Sequence, residues 1–354
     1  MSPSRSRLRL LAPVLALSLL AAACGSDKSS KNGTSATGKT AEKVTLRLGY
    51  FPNVTHSPAI VGLEGGVFAK ALGSNVTLKT SVFNAGPAAV EAIFSKGIDA
   101  SFVGPNPAIN AYSKSNGEAI RVVSGAASGG AFLVVKPEIT KVTDLKGKKV
   151  ASPQLGNTQD VALRYWLKTK GLKTDVNGGG DVSVLPEDNS TTVTAFQQGA
   201  IAGAWVPEPY ATRLVKAGGH ILVDERDLWP GGKYVTTLLV VRTEFLKAHP
   251  DVVDNLIKGV SQSIDLITTD QAKAAELVSK GIEQATSKPL AIDLVTASFK
   301  NITFTLDPVA SSLRADVEHA VALGILKETP LTNIFDLAPL NAFLTSEGKA
   351  KVAT

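Results

Sequence analysis

The chain has 354 residues, 44% of them hydrophobic and 19% charged, with a formal net charge of +6. Half of that excess is three arginines near the start, Arg5, Arg7 and Arg9, so the rest is close to neutral and gives no basis for nucleic-acid binding. A single cysteine excludes a framework of intrachain disulfides, and the four histidines lie far apart in sequence, without zinc-ligand spacing.

The three arginines precede an apolar run, Leu10 to Leu20, and the small residues Ala21, Ala22 and Ala23, the layout of an export signal over residues 1–23. That run is shorter than the roughly 20 residues of a permanent membrane span. The stretch "LLAAACGSD" ends it with Cys24 and resembles the acylation site of bacterial lipoproteins, with Ala21 where a leucine is usual. The resemblance implies lipidation of Cys24; ordinary cleavage after Ala23 implies a secreted protein instead. Residues 24–43 are rich in Ser, Gly, Thr and Lys, the composition of a flexible leash.

About 310 residues then remain, enough for a large core and, as a prior, two domains. In chain order "VTLRLGYF", "VTLKTSVF", "IDASFVG", "IRVVSGA" and "AFLVVK" alternate with helical segments "SPAIVGLEGGVFAKAL", "PAAVEAIFSKG" and "PAINAYSKS". This alternation predicts an α/β sheet with parallel strands, whose ligand crevice lies beyond the carboxyl ends of the strands. A second unit of the same kind runs from "LKGKKVASPQLGNTQD" to "HILVD". After "YVTTLLVVRTEF" the chain turns helical, and Val252, Val253, Leu256, Ile257, Val260 and Ile264 mark one buried face. Two extended passages, "AFLVVK" and "TTLLVVR", bracket the second unit and read as hinge crossings between two lobes, residues 44–133 with 242–354 and residues 134–241.

The stretches "GYFPNVTHSPAIVG", "SKGIDASFVGPNPAINAY", "VTDLKGKKVASPQLGNTQD", "AWVPEPYATRL" and "FLKAHPDVV" resemble the solute-binding proteins of ABC importers for nitrate, sulfonates and taurine, a family that also has relatives binding thiamine-precursor pyrimidines. The resemblance implies the two-lobed periplasmic-binding-protein type II fold with a ligand cleft between the lobes. It also implies an extracytoplasmic, monomeric binder that delivers a small solute to an ABC permease, with no cofactor and no metal. A ligand-sensing receptor subunit is the alternative class.

The loops that open helices supply the candidate ligand contacts. In "SPQLGNTQD", Gln154, Asn157, Thr158 and Gln159 offer amide and hydroxyl groups at a helix start, where backbone N–H groups bind oxyanions without a formal charge; capping of their own helix is the alternative for Asn157 and Thr158. Gly104 and Asn106 in "FVGPNPA" and Asn84 in "FNAGPAA" repeat the pattern. Tyr50, Asn53 and His56 come from the first loop, and Asn189 from "LPEDNSTT". Ser128, with Gly129 and Gly130, is either a donor or part of a hinge. Trp205 in "AWVPEPY" has a face suited to an apolar tail or a ring, and Glu208 suits an ammonium or holds the hinge through hydrogen bonds. Few cations and one apolar face point to an aliphatic sulfonate such as taurine. Nitrate or bicarbonate, and aromatic solutes such as pyrimidines or flavins stacking on Trp205, Tyr50 and Phe51, are the alternatives. No nucleophile elbow is present and the cysteine lies outside the fold, so an enzyme is not expected.

Overall fold

The computed structural model describes residues 43–354. The expected signal peptide, Cys24 and the expected leash up to residue 42 lie outside the described residues. Among those described, no helix is long and apolar enough to cross a membrane.

β1 (Val44–Tyr50), β2 (Val76–Val82), β3 (Ala100–Val103) and β4 (Ile120–Gly129) are laid down in the first lobe. The helices between them are α1 (Ser57–Glu64), α2 (Val67–Leu72), α3 (Gly86–Phe94) and α4 (Pro105–Lys114). The sequence reads α1 and α2 as one helix. They separate because Gly66 takes a φ of 68°, a left-handed conformation that interrupts the turn at no steric cost to glycine. The chain then passes into the second lobe, which holds β5 (Ala131–Val135), β6 (Lys149–Ser152), β7 (Ser183–Pro186), β8 (Gly203–Pro207) and β9 (His220–Asp224), with α5 (Thr158–Thr169), α6 (Asn189–Gln197) and α7 (Tyr210–Lys216). It returns through β10 (Val235–Arg242) and adds α8 (Thr243–Ala248), α9 (Pro250–Thr269), α10 (Gln271–Thr286), α11 (Ile292–Phe299), β11 (Ile302–Phe304), α12 (Ala310–Ala322) and α13 (Ala338–Ser346) to the first lobe.

The two sheets have the strand orders β11-β4-β10-β3-β1-β2 and β7-β6-β8-β5-β9. Both are mixed. β1 runs parallel to β2 and β3, as the alternation predicts, while β10 inserts antiparallel between β3 and β4, and β5 runs antiparallel to β8 and β9. A strand that carries the chain back from another lobe arrives from the opposite end, so the returning passages cannot share the direction of the βα repeats.

The same fact moves the lobe boundaries. The crossing expected at residues 133–134 falls at Gly129–Gly130, where φ values of 79° and 77° turn the chain from β4 into β5. The crossing expected at residues 241–242 lies before Val235, because the whole of β10 is bonded into the first sheet. An apolar run alone does not tell which sheet its two ends belong to.

The C-terminal helices build the first core. α9 buries Val252, Val253, Leu256, Ile257 and Val260 against Phe68 of α2 and Ile60 of α1, one continuous apolar cluster of the kind its spacing predicts. Ile264, on the same stripe, is partly buried. A Cβ on Gly259 would stand 2.9 Å from Phe68 Cδ1, so that glycine sets how closely α9 approaches α2.

Candidate ligand-binding site

Five helix starts converge where the lobes meet. α1, α3 and α4 of the first lobe and α5 and α6 of the second begin at a small enclosed chamber of about 20 Å³. It is lined by Asn53, Thr55 and His56 before α1, Asn84 before α3, Gly104 before α4, Asn157, Thr158 and Gln159 at α5, and Asn189 at α6, with Phe51, Pro207 and Thr236 completing it. At none of the five starts does the capping residue's side chain close the first turn. Pro58, Pro87, Pro105 and Pro107 carry no N–H, so α1, α3 and α4 offer fewer free donors than α5 and α6, but the positive ends of all five helix dipoles lie toward one place.

Local bonds fix this geometry. Asp160, in the first turn of α5, accepts from Ser152 Oγ at 2.7 Å, from the Gly156 N–H at 2.9 Å and from Arg164 Nε at 3.0 Å. One buried carboxylate thereby ties the loop after β6 to the helix it opens. Gly156 takes a φ of 75° in that loop, the left-handed turn expected of "LGNT". Asn157 Nδ2 donates to Gln159 Oε1 at 3.3 Å, and the Asn157 side chain does not cap α5. Across the lobes, Asn84 Nδ2 donates to Asp188 Oδ2 at 3.2 Å. A Cβ on Gly104 would stand 2.3 Å from Thr158 Oγ1, so the lobes close only because that position has no side chain.

The chamber holds no ionised side chain. His56 Nδ1 accepts the Phe51 N–H at 3.3 Å, leaving its ring proton on Nε2, and burial lowers its pKa to about 3. The ring is therefore a neutral donor at any physiological pH. Thr158 Oγ1 and Asn189 Oδ1 are buried with no hydrogen-bond partner among the described residues. An unmet buried polar atom costs about 1–3 kcal/mol, and both belong to a cavity where a solute could meet them.

Eight of the sequence-expected contacts are thus brought together: Asn53, His56, Asn84, Gly104, Asn157, Thr158, Gln159 and Asn189. The other six are not. Tyr50 ends β1 inside the first core. Asn106 turns its amide to the Asp316 carbonyl at 3.4 Å. Ser128 is a sheet residue, paired with Val235 and Thr303. Gln154 is half-buried outside the chamber, its carbonyl accepting from the Asn157 N–H at 2.9 Å.

Trp205 is fully buried in the second lobe's core, its indole donating to Glu225 Oε2 at 2.7 Å. It covers no tail, because its ring is packed inside that core, edge-on to Trp166. Glu208 serves the joint between lobes: it accepts from the Thr212 N–H and hydroxyl, from Ser298 Oγ and from Asn301 Nδ2, the last at 2.6 Å. With those bonds it has nothing left for a ligand's ammonium. Trp205→Phe is expected to lower stability by about 1–3 kcal/mol, by removing the indole donor 2.7 Å from the buried Glu225, and to leave solute affinity unchanged; chemical denaturation and a binding titration check both.

Thr55, Pro207 and Thr236 are not singled out by sequence, and Phe51 only as a stacking ring. Thr55 sits in the same loop as Asn53 and His56. Thr236 begins a strand, and nothing in an apolar run marks which end meets a cleft. A second cavity of about 180 Å³ adjoins the chamber and shares Asn53, Asn84 and Asn189; Pro52, Val82, Asp188, Tyr210 and Lys288 also line it.

Known proteins share this fold. The model of the NMT1-like family matches residues 39–281. The taurine-binding periplasmic protein of Escherichia coli (strain K12) is 28% identical over 222 residues, 62% of this chain and 65% of the relative. Among solved structures, the periplasmic nitrate-binding protein NrtA of Synechocystis PCC 6803 superposes with a TM-score of 0.70 at 16% identity, covering 87% of this chain and 90% of the other. The alkanesulfonate-binding protein SsuA of Xanthomonas axonopodis pv. citri, bound to MOPS, does so at 0.66 and 19% identity, covering 82% and 96%. The family match spans both lobes and all five helix starts, and the chain belongs to the NMT1-like family, the solute-binding proteins of ABC importers that its loop motifs resemble.

Proposed function

We propose that the protein captures a small oxyanion head group between its lobes and delivers the closed form to an ABC permease at the outer face of the cell membrane. One observation carries this reading: five uncapped helix starts and the amides and hydroxyls beside them face a chamber with no cation and no ionised acid. Such dipoles stabilise negative charge and are already oriented before the solute arrives. An aliphatic sulfonate such as taurine is the preferred solute. Its sulfonate oxygens suit the chamber, and its aminoethyl tail suits the adjoining cavity, where Asp188 supplies a carboxylate for the ammonium. The E. coli and Xanthomonas relatives, named for taurine and alkanesulfonates, support the class. Cys24, if acylated, tethers the binder near its permease and raises its local concentration there.

At about 20 Å³ the chamber is smaller in this closed arrangement than any of these solutes, so the lobes must part to admit one. A tail-less oxyanion such as nitrate or bicarbonate, the second reading, requires the least adjustment, and the rings of pyrimidines and flavins require the most. Thermal shift with taurine, ethanesulfonate, nitrate, bicarbonate and a pyrimidine separates them. A solute at a hundred times its Kd adds about 2.7 kcal/mol of stability. Stabilisation by nitrate alone removes the sulfonate reading, and stabilisation by the pyrimidine alone removes the oxyanion reading.

Because His56 stays neutral, the affinity for nitrate or taurine is expected to vary less than about twofold between roughly pH 5 and pH 8. Isothermal titration across that range checks it. A fall in affinity following a group with a pKa near 6.5 would mean that an imidazolium, and not the dipoles, holds the anion.

A further inference from the structure

Away from the chamber, a cavity of about 230 Å³ opens between α5 of one lobe, α12 of the other and the turn Glu225–Leu228. Its walls are aromatic. Tyr165 stacks on His319 with ring centroids 3.8 Å apart, Trp229 lies 5.5 Å from His319, and Trp166 meets the buried Trp205 edge-on at 6.0 Å. Glu225, only 1% exposed, is the one carboxylate among the residues that line it, and no lysine or arginine does. The groups around that carboxyl are the Trp205 and Trp229 indoles, the Asp224 carboxylate, and the buried Asp316 of α12 and Tyr234. Burial in this setting pushes it up to about 7, the behaviour of an acid with no cation opposite it, and burial holds the His319 ring neutral with a pKa lowered to about 4.

We propose that this cavity is a second ligand site, separate from the anion chamber, and that it takes a small organic cation of the quaternary ammonium type. The methyl groups lie against the Tyr165, Trp166 and Trp229 rings and the charge lies opposite Glu225. A cation over such a ring gains about 0.5–2 kcal/mol. The lining argues against two other occupants. A metal ion requires several oxygen or nitrogen ligands, and beyond Glu225 the cavity offers only the neutral Thr169 and Tyr165 hydroxyls and a His319 ring already stacked on Tyr165. A neutral ring supplies no counter-charge, so Glu225 would take up a proton beside it and the site would gain nothing from its carboxylate. Since α5 and α12 belong to different lobes, the occupant binds the closed arrangement and couples to solute capture.

Choline chloride, titrated against the whole protein by indole fluorescence and calorimetry beside the uncharged isostere dimethylbutanol, tests the proposal. Choline is expected to bind about tenfold more tightly than the alcohol, and Trp229→Ala and Glu225→Gln each to weaken choline about tenfold. Trp229 is half-buried at the cavity, so its removal spares the core, and glutamine at 225 keeps an oxygen for the Trp205 indole. No binding of choline, equal binding of the alcohol, or an unchanged choline affinity in Trp229→Ala would overturn it.

Discussion

Asp160→Ala is expected to lower stability by about 3–5 kcal/mol, the cost of removing one partner of a buried ion pair. Arg164, 1% exposed, would keep its charge inside the second lobe with its Nε partner gone. The loss does not stop at the fold. Asp160 also holds the Ser152 hydroxyl and the Gly156 N–H, so without it the loop that aims the α5 start at the chamber is free to move. Solute affinity should therefore fall with stability, while Asp160→Asn, which keeps an acceptor oxygen, loses less of both. Urea denaturation with solute titrations on the folded fraction measures the two effects. A variant within about 1 kcal/mol of the wild type would show that the loop is held by something else.

Gly104→Val is expected to weaken solute binding about 10- to 100-fold and leave the unliganded protein close to its original stability. Gly104 has an ordinary φ of −71°, so valine there meets no backbone strain. The obstacle is across the cleft: even a Cβ would stand 2.3 Å from Thr158 Oγ1, while in its own lobe the Thr236 carbonyl, 3.6 Å away, is at ordinary contact distance. Overpacking of this kind costs about 1–3 kcal/mol, and the cost falls on closure because Thr158 belongs to the opposite lobe. Calorimetry of the variant with the best solute from the screen, together with its melting temperature, decides. Wild-type affinity would mean that the lobes tolerate a wider gap and that the chamber is not the contact that closes them.

The sequence marks the places where backbone N–H groups become available. Each of the loops "PNVTH", "FNAGP", "VGPNP", "LGNT" and "PEDN" ends a strand and opens a helix, and small polar residues there have few alternatives to facing the strand ends. For that reason Asn53, His56, Asn84, Gly104, Asn157, Thr158, Gln159 and Asn189 were legible without coordinates. The α9 stripe was legible for a similar local reason, the 3.6-residue period of its apolar positions.

Trp205 and Glu208 were not legible. Their chemistry suits a ligand as well as it suits a core indole and a joint between lobes, and the choice depends on partners distant in sequence: Glu225 for the tryptophan, Ser298 and Asn301 for the glutamate. Asn106 and Gln154 failed in the same way, since a helix start exposes only some of its side chains to the cleft.

By itself the sequence determined the α/β repeat, the helix starts and the absence of cations among the loops that face the cleft, because these follow from neighbours a few residues apart. Only the tertiary structure decided that β10 belongs wholly to the first sheet, that Gly104 meets Thr158, and that five helix dipoles share one chamber. Those outcomes rest on contacts between segments tens to hundreds of residues apart, where hydrogen-bond pairing and packed volume, and not local periodicity, set the position of each side chain.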